Sequence, residues 1–291
     1  MLNRSCENQT AKPGSFLRWA GSKRQQIPVL SAIWNPTYRR YIEPFMGSAC
    51  LFFHLQPKRA ILTDINTNLV RTFIAVRDHP RAVWNRLSKI PLGKLSYYSI
   101  RRSRLQDLDD LDAAANFIFL NRFCFNGLYR TNQKGIFNVP FGSSDIGRLP
   151  YAFELQAASR SLRNCKIIAS DFEVVLRKAQ AGDFVYLDPP YAVGNRRVFR
   201  QYDPSSFGLQ DIYRLAQSLT DLDRKEVAFV LSYAYCKEAL EFFRDWPQRR
   251  FFVQRNIAGF ATNRRRAAEL LVSNCFPERF LIGKEIEDSC N

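Results

Sequence analysis

The residues best suited to chemistry stand together at Asp188, Pro189, Pro190 and Tyr191, in the stretch GDFVYLDPPYAVGN. A carboxylate accepts hydrogen bonds, and a proline carbonyl faces no competing N–H on its own residue. With an aromatic face one position further on, the four residues suit the gripping of a planar ring that carries an amino group. A purely structural turn after a core strand could use the same residues, so the elements around them decide the reading.

The run Phe184 to Leu187 is apolar, with aromatic and β-branched members, and predicts a buried strand. Proline cannot continue a central strand, so the chain turns at Pro189 and the acid sits at the strand's C-terminal edge. In open α/β sheets that edge is where ligands bind. A second strand–loop–helix unit is read in RYIEPFMGSACLFFHL: a strand ending at Glu43-Pro44, a small-residue loop through Phe45, Met46, Gly47, Ser48 and Ala49, then a helix from Cys50 to Leu55. One glycine stands where a dinucleotide fingerprint has three, so no pyrophosphate site is expected; an uncharged adenosine with an amino acid needs less room. His54 reads as a core or edge residue. The strand AILTDIN then ends at Asp64, about 20 residues beyond that loop, the spacing of a ribose-binding acid. Asp64 also precedes a helical pattern, so capping that helix is the competing role. Upstream, in FLRWAGSKRQQIPVL, Trp19 and Lys23 flank a small-residue turn that lets a ligand approach the backbone, with a helix to follow.

Charge narrows the partner. The 291 residues hold 43 Lys and Arg against 27 Asp and Glu, a formal charge of +16 that attracts polyanions, nucleic acid first and anionic membrane second. No apolar run approaches the ~20 residues of a membrane span, and the first residues are polar, without a secretory core. The seven cysteines are scattered and never at metal-ligand spacing, so neither a disulfide framework nor a zinc site is expected, and a reducing cytosol is. With only two histidines, His54 and His79, catalysis is not expected to use imidazole.

Between residues 71 and 151 the α/β pattern is interrupted. VRTFIAVRDHPRAVWNRLSKI and LDDLDAAANFIFLNRF read as helices with apolar faces. RFCFNGLYRTNQKGIFNVPFG then reads as a hairpin, with Phe125, Asn126, Arg130, Asn132 and Lys134 crowding its tip. An aromatic wedge, an Arg fork that matches guanine and amides that match adenine or phosphate would make it a groove reader; a plain accessory hairpin with solvated charges is the alternative. Further on, LRNCKIIASDF predicts a strand ending at Asp171-Phe172, AVGNRRVFRQYDPSSFG a polar lid-like loop, EVAFVLSYA a strand, and RRFFVQRNIAGFATNRRRAAELLVSN two antiparallel strands around a basic loop at Arg264 to Arg266.

The order RWAGSK, EPFMGSA with TDIN, then DPPY resembles the Dam-type (D12 class) family of DNA N6-adenine methyltransferases over nearly the whole chain. The resemblance implies an α/β, Rossmann-like S-adenosylmethionine-dependent methyltransferase fold with an inserted, mainly helical target-recognition domain carrying a β-hairpin. It divides the chain into catalytic parts 1–70 and 152–291 around a recognition domain at 71–151. It implies that Trp19, Lys23, Phe45, Gly47, Asp64, Asp171, Phe172 and Asp188 hold S-adenosylmethionine, and that Asp188, Pro189, Pro190 and Tyr191 hold the target adenine. It also implies that the hairpin residues Phe125, Asn126, Arg130, Asn132 and Lys134 touch double-stranded DNA, in a GATC-like site. A monomer in a bacterial or phage-infected cytoplasm, with a cognate restriction enzyme as a possible partner and no metal or membrane, completes the expectation. Ser22 and Ala49 stand where the family commonly has glycine. Both are small, which implies retained cofactor binding. A transferase acting on cytosine N4, RNA or a protein amide, and a non-catalytic DNA-binding relative, are the alternatives.

Overall fold

The computed structural model describes residues 14–132, 134–142, 147–191, 207–256 and 264–281. Among the described residues seven strands form one sheet: β1 (Tyr41–Glu43), β2 (Ala60–Asp64), β3 (Cys165–Ala169), β4 (Phe184–Leu187), β5 (Ala228–Ala234), β6 (Gln248–Asn256) and β7 (Arg264–Ser273). Their spatial order is β3-β2-β1-β4-β5-β7-β6. The first five run parallel, and β7 enters antiparallel between β5 and β6. The chain winds outward from β1 to β3, then returns to lay β4 on the free side of β1. That reversal makes the gap between the C-terminal ends of β1 and β4 the topological switch point, the crevice where such sheets bind ligands.

Burial explains why these short runs are strands. All four residues of β4 are buried, and they alternate between two cores. Phe184 and Tyr186 join the core that holds Tyr41 and Leu62, whereas Val185 and Leu187 join the one that holds Ile42, Phe229 and Leu231. A strand covered on both faces reads as a continuous apolar run instead of an alternating one. The first core is covered by α1 (Ile27–Ser31), α2 (Cys50–Leu55), α3 (Thr67–Asp78), α4 (Pro80–Leu87), α5 (Lys94–Arg102), α6 (Asp110–Phe123) and α7 (Ala152–Leu162). The second is covered by α8 (Phe172–Leu176), α9 (Leu209–Arg224) and α10 (Lys237–Phe242). Apolar side chains of α3 to α6 share one continuous cluster with the strands, so residues 71–123 pack against the sheet side through a common core.

Several details refine the sequence reading. The stretch from 70 to 90 is two helices, because Pro80 removes a backbone donor and starts α4 after His79. The hairpin of residues 122–141 is minimal: two isolated antiparallel bridges, Cys124 with Phe141 and Thr131 with Phe137, in place of extended strands. Its Asn-Gly pair is not the tip. Phe125–Gly127 forms a 3-10 turn at the base, with Asn126 at φ 55°, while Gly135 N donates to Asn132 O at 2.9 Å at the distal turn. Arg264 to Arg266 open strand β7 instead of lying in a loop. The segment 192–206, read as a lid, lies outside the described residues, as does 257–263.

Candidate active site

Three segments meet above the switch point. Lys23, buried, reaches Asp188 with its Nζ 2.5 Å from Oδ1, and the same ammonium lies 5.3 Å from the centre of the Tyr191 ring. Lys23 Nζ also donates to the Gly21 carbonyl at 3.2 Å, which ties the turn of the first motif to the acid at the end of β4. Pro189 is buried and Pro190 exposed, so the turn is anchored on one side and open on the other. Tyr191 packs against Tyr233 of β5 with ring centres 5.0 Å apart.

Beyond the end of β1, the chain passes through two left-handed positions, Gly47 at φ 45° and Ala49 at φ 50°. A Cβ at Gly47 would stand 2.9 Å from two indole atoms of Trp19, so glycine serves both the backbone and the close approach. Ala49 occupies the second such position with a methyl group, a conformation that costs a non-glycine residue about 1–2 kcal/mol. Asp64 fastens this loop. Its Oδ2 accepts from Gly47 N at 3.1 Å and its Oδ1 from Asn66 N at 2.9 Å. Burial pushes the Asp64 carboxyl above the usual carboxylate range, while the N–H groups of Asn66, Gly47 and Ile65 pull the other way. The cap of α3 is Asn66, whose side chain accepts from Leu69 N at 3.1 Å; Asp64 is not the cap. A carboxylate offers about four acceptor sites, so these backbone donors still leave capacity for a hydroxyl group.

Phe45 meets Phe172 and Phe207 at ring separations of 5.4 and 5.9 Å, forming an aromatic wall beside the loop. Asp171 caps α8 through Glu173 N at 2.9 Å and pairs with Arg214 at 2.8 Å, both on Oδ1. The arrangement therefore brings Trp19, Gly47 and Asp64 together, Phe45 and Phe172 together, and Lys23, Asp188 and Tyr191 together.

The turn at Phe125 and Asn126 is stitched to the first motif. Asn121, buried near the end of α6, accepts from Arg18 N at 2.8 Å and donates to Arg18 O at 2.5 Å. Ala20 N donates to Gly127 O at 3.1 Å, and Tyr129 stacks on Trp19 at 5.9 Å and 18°. Gly127, at φ 65°, would drive a Cβ to 3.1 Å from Arg18 Cβ. Phe125 and Asn126 are exposed on this turn. Arg130 is held by Asn138, with Nε 2.6 Å from Oδ1, while Asn132 spends its side-chain oxygen on the N–H groups of Lys134 and Ile136 at 3.0 Å each.

Glu43, Gln26, Asn121 and Glu269 escaped the sequence reading. Glu43 is fully enclosed; its Oε2 accepts from the Tyr41 hydroxyl at 2.9 Å, and burial, with the charges of Asp188 and Asp64 added, pushes its carboxyl well up. Glu269 carried the one available signal, an acid inside the apolar run AAELLVS.

A doubly wound parallel sheet with a reversed seventh strand, and an acid-Pro-Pro-Tyr turn at its switch point, define a Rossmann-like methyltransferase. Residues 19–258 match the model of the D12 class N6 adenine-specific DNA methyltransferases. The type II methyltransferase M1.LlaDCHI of Lactococcus lactis subsp. cremoris is 31% identical over 268 residues, covering 89% of this chain and 94% of that protein. The type II methyltransferase M.MjaIII of Methanocaldococcus jannaschii is 34% identical over 242 residues, with 76% and 84% covered. The DNA adenine methylase of Escherichia coli K12 is 30% identical over 271 residues, with 89% and 95% covered. The chain belongs to the D12 class of N6 adenine-specific DNA methyltransferases: it is an enzyme that methylates adenine N6 in DNA. Among the described residues no group of three or more His, Cys, Asp or Glu could hold a metal ion, and no helix is long and apolar enough to cross a membrane.

Proposed function

We propose that the methyl donor is S-adenosylmethionine, held between the Trp19–Lys23 turn, the Phe45–Gly47 loop and Asp64, and that the turn at Asp188 to Tyr191 holds an adenine flipped out of duplex DNA. The observation that carries this reading is the meeting of Lys23, Asp188 and Tyr191 at the switch point, next to a loop where only glycine fits under Trp19. The fit to the donor rests on that close-approach loop, on the aromatic wall of Phe45 and Phe172, and on the acceptor capacity of Asp64 toward ribose hydroxyls. Asp171, whose Oδ1 already serves its cap and Arg214, keeps Oδ2 as an acceptor toward the donor beside Phe172. When bound, the donor supplies an electrophilic methyl group on a sulfonium.

Adenine N6 is a poor nucleophile because its lone pair delocalises into the ring. Asp188 and the Pro189 carbonyl accept its two N–H bonds, draw the nitrogen toward tetrahedral geometry and aim the lone pair. Such a positioned acceptor contributes typically ~10²–10⁴ in rate, and alignment of the reacting atoms contributes more. Lys23 on Oδ1 fixes the carboxylate, and Tyr191 stacks on the base. Extruding the base costs a few kcal/mol. Residues 71–151 offset that cost as the recognition unit: Phe125 and Asn126 enter the gap, Arg130 forks onto a guanine, and Asn132 and Lys134 meet the duplex beside them. A GATC-like site, a single subunit as the working form, action in the cytoplasm and service beside a restriction enzyme belong to the same proposal. Single-molecule sequencing of DNA from cells expressing the protein tests it, because it reports the modified base and its sequence together. N6-methyladenine in one short motif is expected; modified cytosine, or no modification, overturns it.

A further inference from the structure

We propose that Glu269 is the positioning residue of the target-base platform: its carboxylate fixes the plane of Tyr191 through the phenolic hydroxyl, and Gln26 in turn fixes the carboxylate. The inference rests on the reading of Tyr191 as that platform. Glu269 lies on β7 opposite Ala234, the last residue of β5, so it stands at the same edge of the sheet as Asp188. Its side chain is buried, and a buried acid in an apolar strand is retained only with partners. Two of them converge on one oxygen. The Tyr191 hydroxyl donates to Oε2 at 3.0 Å, and Gln26 Nε2 donates to the same atom at 2.8 Å. Gln26 comes one 3-10 turn after Lys23, so the network closes a loop through Lys23, Asp188, Tyr191, Glu269 and Gln26.

The orientation of Gln26 follows from the carboxylate, since a reversed amide would set oxygen against oxygen. In this orientation Gln26 Oε1 is buried and accepts no hydrogen bond among the described residues. An orphaned buried acceptor is unfavourable. An amide kept here under that penalty is there for its N–H on Glu269. The Tyr191 ring packs against Tyr233 at 5.0 Å and lies 5.3 Å from the Lys23 ammonium, and the hydrogen bond from its hydroxyl to Glu269 adds a directional hold on its tilt. A stacking platform with a fixed tilt orients N6 against the donor without adding to DNA or donor affinity. Its loss is therefore expected in the methyl-transfer step.

The test uses the full chain with saturating duplex and S-adenosylmethionine. Single-turnover rates are measured for Tyr191→Ala, Tyr191→Phe, Glu269→Ala, Glu269→Gln and the double variant Tyr191→Phe/Glu269→Ala. In parallel, 2-aminopurine at the target position reports how the flipped base is held. Glu269→Ala and Tyr191→Phe should each slow transfer on the order of ten- to a hundredfold, the scale of small misplacements in a site. The two factors should not multiply in the double variant. Both should brighten the 2-aminopurine signal while leaving the Michaelis constants for DNA and donor unchanged. Glu269→Gln should stay within a few-fold of wild type, because one amide oxygen can accept both hydrogen bonds. Multiplying factors overturn the proposal, and a Tyr191→Phe enzyme as fast as wild type overturns it even if Glu269→Ala fails to fold. A Tyr191→Ala enzyme with full activity overturns the platform reading itself. A slow Tyr191→Ala beside a fast Tyr191→Phe overturns only the role of Glu269.

Discussion

Replacing Gly47 with alanine tests the proposed donor-binding loop at its tightest point. The substitution adds one methyl group with two consequences. At φ 45° the backbone is left-handed, which costs an L-residue about 1–2 kcal/mol. The new Cβ would also stand 2.9 Å from Cδ1 and Nε1 of Trp19, so the indole must move and give up its stack on Tyr129. An aromatic pair contributes about 0.5–1.5 kcal/mol beyond its burial. Together the two effects come to roughly 1.5–3.5 kcal/mol, which lowers Tm by on the order of 5 °C in a chain of this size. The functional effect is larger than the structural one if Trp19 forms a wall of the donor site. Calorimetric titration with S-adenosylmethionine, at a temperature where the variant remains folded, should show affinity weakened tenfold or more. In a Trp19→Leu background the added methyl should weaken binding less, because the indole no longer blocks it. A Gly47→Ala protein with lowered Tm and unchanged donor affinity would refute the assignment of this loop to the donor.

Glu43→Gln should raise stability at neutral pH. The folded-state carboxyl lies well above the unfolded one, so wild-type stability falls as pH rises from about 4 through the folded value; melting curves of the pair should converge below the usual carboxylate range and separate above it. Asp183→Ala should act in the opposite sense and leave donor affinity alone. Burial raises the Asp183 carboxyl, but hydrogen bonds from Arg40 and Arg39 outweigh that and hold it below its usual range. Its contribution, about 2 kcal/mol because both arginines can regain water, should be present above about pH 4 and vanish as pH falls through the lowered value, which acid melts will show. Arg130→Ala should relax preference at one base pair by about 1–3 kcal/mol, and Asn138→Ala should do so less, since it removes only the group that orients the guanidinium. Equal losses on cognate and scrambled duplexes, with a shallower salt dependence, would make Arg130 a phosphate contact.

The turns at the C-terminal edge of the sheet were legible because their signals are local. A proline pair after an apolar run fixes where β4 ends, and a small-residue loop between a strand and an amphipathic helix fixes where β1 turns. Both sit at the switch point once the strand order is known, and that order depends on long-range pairing which neither motif contains. The role of Asp64 illustrates the limit. The sequence left it between a ribose contact and a helix cap, and the structure gives the cap to Asn66 and uses Asp64 to pin Gly47. For Asp171 the cap is real. Glu269 and Gln26 were invisible as partners because 243 positions separate them, and no spacing rule reaches that far. The hairpin of residues 122–141 was legible in composition but not in form: its Asn-Gly and Lys-Gly turns look alike in sequence, and the packing of Gly127 against Arg18 marks the first as the base.

The measurement that bears most directly on the whole account is nucleoside analysis of duplex DNA after incubation with the protein and isotope-labelled S-adenosylmethionine, run beside Asp188→Ala. Wild type should place the label in N6-methyladenine alone. Asp188→Ala should keep its fold and much of its donor affinity while losing nearly all transfer. Label in N4-methylcytosine, or an Asp188→Ala enzyme within a few-fold of wild type, would contradict the claim that this carboxylate prepares adenine N6 for methylation.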